Sequence, residues 1–90
     1  MAVLVLEQSF ETPVSPEDLT DAAKRVDRCL EAHGARWIRS YLSVDRKRLI
    51  CEFEAADAER VRESYRSAGV PFDRCWTANV YSQDKPTESY

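Results

Sequence analysis

Only two glycines occur in this 90-residue chain, and each closes a helical pattern. The first pattern opens at Ser15-Pro16-Glu17-Asp18. That run supplies a capping hydroxyl, a proline suited to the first helical position, and two acids where the helix dipole is positive. Leu19, Ala22, Ala23, Val26, Cys29 and Leu30 then recur on one stripe that ends at His33. Gly34 follows as a left-handed cap. The second pattern starts at Asp57, runs through Ala58, Val61, Tyr65 and Ala68, and stops at Gly69-Val70-Pro71. Four segments around these helices read as strands: Ala2–Phe10, Ala35–Val44, Lys47–Ala55 and Phe72–Tyr81. Asp45-Arg46 makes a tight turn between the middle two. The order is therefore β-α-β-β-α-β. Two right-handed crossovers around a hairpin predict an α+β, ferredoxin-like domain, with a four-stranded antiparallel sheet and both helices on one face. The domain is expected over residues 1–82, with 83–90 as a polar tail.

Size and charge narrow the function. Ninety residues bury about 60–65% of their unfolded surface, enough for one small core and too little for a multidomain enzyme. The net charge is −3, which argues against gripping phosphate backbones, so no nucleic-acid partner is expected. The longest apolar run, Ala2 to Leu6, is too short to span a bilayer and lacks the basic flank of a signal peptide. A cytoplasmic setting without a membrane partner is expected. Cys29, Cys51 and Cys75 form no C-x-x-C pair and fall at apolar positions. They read as reduced, buried small hydrophobes.

The hairpin sorts side chains between the two sheet faces. A two-residue turn at Asp45-Arg46 pairs Leu42 with Leu49, Ser40 with Cys51 and Ile38 with Phe53, a largely apolar set suited to the helix side. The opposite face then receives Trp37 with Glu54, Arg39 with Glu52 and Tyr41 with Ile50. Arg39–Glu52 is a favourable cross-strand charge pair. A slip of one residue mixes the sets. Strand one is apolar at both parities until Glu7, as expected of a central strand covered on both sides. The chain has no third layer to supply, so a second copy is the economical cover, packed face to face or into a barrel.

Glu7, Trp37, Arg39, Tyr41 and Glu52 are thus the candidate ligand-binding residues, in a cleft on the open face or between two copies. Glu7 on a central strand is partly desolvated unless paired, which suits it to general-base work; pairing with Arg39 or another cation is the alternative. His33, the single histidine, reads as a helix-end residue satisfying carbonyls, with proton transfer or ligation as the competing role. The basic run Arg46-Lys47-Arg48 reads as a solvated turn. Other uses of this fold fail on residues. Ile50, Glu52 and Glu54 replace the aromatics an RNA-recognition domain needs on strand three. Ser9-Phe10-Glu11-Thr12 lacks the paired cysteines of a copper chaperone. No glycine precedes Gly34, which removes an acylphosphatase phosphate loop.

Several short features, taken together, resemble a known bacterial family. They are Glu7-x-x-Phe10, Trp37-x-x-Ser40-Tyr41, Cys51, the Glu54-Ala55 step and Gly69-x-Pro71. They are similar to small ferredoxin-like domains of uncharacterised function whose best-known member is described as a nickel-binding protein. The resemblance implies a homodimer of ferredoxin-like protomers. It also implies a histidine at the position that Arg39 occupies here, and arginine stays protonated and cannot ligate a metal. No particular metal, cofactor or substrate follows. The leading expectation is a non-enzymatic homodimer that binds a small ligand or metal. The alternatives are a dimeric α+β-barrel enzyme of the monooxygenase, cyclase or isomerase type acting on an apolar molecule, and a purely structural partner-binding protein.

Overall fold

A computed structural model describes residues 1–84; the last six residues of the expected tail lie outside it. Its elements are β1 (Ala2–Ser9), α1 (Pro16–Ala32), β2 (Arg36–Leu42), β3 (Arg48–Ala55), α2 (Ala58–Ala68) and β4 (Arg74–Ala78). The sheet is antiparallel, in the order β2-β3-β1-β4. This is the expected ferredoxin-like arrangement. Strands β2, β3 and β4 are shorter than their hydropathy suggested.

Local chemistry accounts for the helix limits. Ser15 Oγ accepts the Asp18 amide at 3.1 Å, with Pro16 at the first helical position. Asp57 Oδ1 accepts the Arg60 amide at the start of α2. Gly34 and Gly69 both adopt the left-handed region, with φ of 69° and 70°. That conformation costs any residue with a Cβ and costs glycine nothing. The hairpin turn is held by Ser43 and Asp45, whose side chains accept the Lys47 and Arg48 amides.

The core lies between helices and sheet. Leu4 and Leu6 of β1, Phe53 and Ala55 of β3, and Val61 of α2 are essentially inaccessible. Phe53, Tyr65 and Phe72 form an edge-to-face series with centroids 6.0 and 5.9 Å apart. Cys51 and Cys75 are buried as expected, and Cys29 is partly so.

One register expectation fails. Leu42↔Leu49, Ser40↔Cys51, Tyr41↔Ile50 and Arg39↔Glu52 pair as anticipated, but beyond Arg39 the register shifts. Trp37 lies opposite Phe53, and Arg36 lies opposite Glu54. Ile38 is the extra residue of a β-bulge. A bulge adds one residue against one partner, so every side chain beyond it changes face. Trp37 therefore stands on the helix side instead of the open face, and it displaces Ile38 from Phe53.

Candidate functional site

The open face is a lattice of three cross-sheet rows. Tyr41, Ile50, Glu7 and Arg74 form the first; Arg39, Glu52, Val5 and Trp76 the second; Arg36, Glu54, Val3 and Ala78 the third. The central strands β3 and β1 carry all three carboxylates. Within these rows the outer strands β2 and β4 carry the three arginines, and Arg48 shares the face at the start of β3, opposite Ser9. Each acid is matched by one arginine: Glu54 with Arg36, Glu52 with Arg39 at 3.8 Å, and Glu7 with Arg74 at 3.7 Å. The carboxylates are about one-fifth to one-quarter exposed, whereas the arginines are mostly exposed. Their heads reach inward from the sheet edges and lie open to a molecule above the sheet.

Two aromatic side chains flank these charges. Trp76 Nε1 donates to Glu7 Oε2 at 2.9 Å, which fixes both groups. Tyr41 lies against Glu52, and hydrogen bonding to that carboxylate holds its hydroxyl above its ordinary value of 10. Tyr41 and Trp76 are 54% and 44% exposed, leaving much aromatic surface uncovered on a face with no layer above it.

Four expected site residues, Glu7, Arg39, Tyr41 and Glu52, share this face in two adjacent rows. Trp37, the fifth, does not. Trp76 takes the aromatic place on the far side, and sequence reasoning missed it. Its alternation with Cys75 on β4 was legible, but only the pairing of Val5 with Trp76 reveals the face it occupies. Glu7 is paired, by Arg74 and Trp76, and not by Arg39. His33 is the C-cap of α1, and its Nδ1 lies 2.8 Å from Cys29 O, the helix-end role expected. Among the described residues no three His, Cys, Asp or Glu side chains gather into a group able to hold a metal ion.

The model of one protein family matches residues 5–77, and its description is "Nickel responsive protein SCO4226-like". The chain belongs to this family. Among solved structures, it is similar to SCO4226 from Streptomyces coelicolor A3(2), with a TM-score of 0.80 at 14% identity. That alignment covers 90% of this chain and all of the other. At this identity the likeness establishes the fold. No curated protein matches the sequence. No helix of the described residues is long and apolar enough to cross a membrane.

Proposed function

We propose that this member of the nickel-responsive family is a homodimeric, non-enzymatic binding protein whose ligand lies on the open sheet face, under a second copy of the chain. The carrying observation is the convergence of Glu7, Arg39, Tyr41 and Glu52, with Trp76, on one uncovered face. Such a face offers edge guanidiniums for an acidic or carbonyl group, fixed carboxylates for a donor, and two aromatic surfaces for a planar body. Val5 and Ile50, partly buried within the first two rows, give a second copy apolar surface to cover. The three free cysteines suit a reducing cytoplasm.

The donor set favours an organic ligand over nickel. The three carboxylates are each paired with an arginine on the open face, whereas the single histidine stands at the C-cap of α1 and not among them. Among the described residues of one protomer no donor set fits a nickel site. The enzyme reading has less support, because Glu7 is held by both Trp76 and Arg74.

Native mass spectrometry of untagged protein from its own host tests this reading, since it reports stoichiometry, metal and retained small molecules together. A dimer carrying an organic mass is expected. Monomer at micromolar concentration, with no retained mass, would overturn it. Val5→Arg, at the centre of the face, is expected to yield a folded monomer.

A further inference from the structure

A cleft of about 270 Å³ lies on the opposite side of the sheet, between α1 and the β2–β3 hairpin. Its walls are Ala23 and Val26 of α1, Leu49 and Phe53 of β3, and Trp37 of β2. Two sequence choices create it. Helix α1 presents only alanines at positions 22 and 23, and Ala23 remains exposed. The bulge at Ile38 turns Trp37 toward the helices, where it forms the outer wall.

The interior polar groups are already satisfied. Trp37 Nε1 donates to Ser40 Oγ at 2.9 Å, and Ser40 Oγ donates to Cys51 Sγ at 3.0 Å. Tyr65 hydrogen-bonds Cys51 from below. No buried side-chain nitrogen or oxygen among the described residues lacks a partner. The cleft therefore asks for an apolar body. Trp37 is 53% exposed although its indole N–H is pinned, so it stands as a rigid wall with unfilled surface.

Charge selects the ligand further. Asp27 lines the cleft, and no lysine, arginine or histidine does. Among the described residues no cation pairs with Asp27. An anionic ligand would meet this carboxylate without compensation, whereas an ammonium group would pair with it.

We propose that the α1–β2 cleft is a second binding site, for a small aromatic monoamine whose ring packs against Trp37 and whose ammonium reaches Asp27. The volume suits one ring with a short side arm, since a cavity of about 150 Å³ takes benzene alone. The site does not depend on the open face or on dimerisation.

Titration of ¹⁵N-labelled protein with 2-phenylethylamine tests the assignment, with the Trp37 indole signal identified by its loss in Trp37→Phe. A saturable shift of the Trp37 signal is expected, with the Trp76 signal unmoved; the second signal reports on the open face and separates the two sites. The anion 3-phenylpropionate, which keeps the same phenylethyl arm, should not bind. Ala23→Leu, at an exposed helix position that tolerates a larger side chain, should weaken binding about tenfold or more by filling the cleft. Asp27→Asn should weaken it roughly threefold, the scale of an exposed ion pair. An unmoved Trp37 signal, equal binding of the anion, or undiminished binding in Ala23→Leu would overturn the proposal.

Discussion

Burial separates the three cysteines into two chemical classes. Cys51 and Cys75 are desolvated, which raises both thiols and depletes the reactive thiolate, although Ser40 opposes the rise at Cys51 and Arg62 opposes it at Cys75. Iodoacetamide at pH 8 should label Cys29 first in native protein and all three in urea; equal native rates would contradict the packing described. Asp45 shows the reverse shift. Hydrogen bonds from Ser43 Oγ and the Lys47 amide hold its carboxyl below the ordinary 3.8. A depressed native value means that its contribution is complete above the unfolded value and is lost as pH falls through the native one. The stability difference between wild type and Asp45→Ala should be constant near neutrality and shrink below about pH 4. Chemical denaturation at several pH values measures it.

The helix boundaries are the best-specified elements, because each depends on a few residues in local contact. Ser15→Ala removes the acceptor for the Asp18 amide and should cost about 1 kcal/mol in urea unfolding. Gly69→Ala meets no atom within 4 Å, so any loss comes from the backbone at φ 70°, again about 1 kcal/mol. A loss near zero would mean the chain relaxes out of the left-handed cap. Strand β2 behaves differently. It is an edge strand, exposed along nearly its whole length, and little burial pins its register. Residues 39–42 were paired correctly from the turn and the alternation. Residues 36–38 were not, because Ile and Trp both suit a sheet and neither signals which of them is extra. The bulge moved Trp37 between faces, emptied one expected site and built the wall of another.

The whole molecule carries two unlike surfaces. The open face is ordered by Glu–Arg pairs between neighbouring strands, two within the β2–β3 hairpin and one between β1 and β4, and the helix side holds a half-filled apolar cleft. Surface ion pairs contribute little stability individually. Their effect here is positional, keeping the aromatic and guanidinium groups apart and aligned. Trp76→Ala should leave thermal stability nearly unchanged while removing the fixed partner of Glu7. Calorimetric titration of untagged protein with nickel should show no saturable uptake per protomer, since among the described residues no three His, Cys, Asp or Glu side chains gather around one point; stoichiometric uptake would contradict that dispersal. Dimer formation, tested by dilution, should be abolished by Val5→Arg and unaffected by Ala23→Leu, because the two substitutions lie on opposite sides of the sheet.

Element order, helix limits, the central strands and the identity of Glu7, Arg39, Tyr41 and Glu52 as neighbours were all legible in the amino-acid sequence. These follow from short-range rules: caps, glycine conformation, alternation and an even-numbered hairpin loop, which closes at Ser43 and Arg48 and is wider than the expected Asp45-Arg46 turn. The pairing of Arg39 with Glu52 was legible too, but the face taken by Trp37, the recruitment of Trp76 and the arginines that meet Glu7 and Glu54 were decided only by tertiary structure. They depend on one inserted residue in an edge strand and on pairings across as many as 69 positions of chain. No local pattern encodes contacts at that separation, because their geometry exists only once the central strands are assembled.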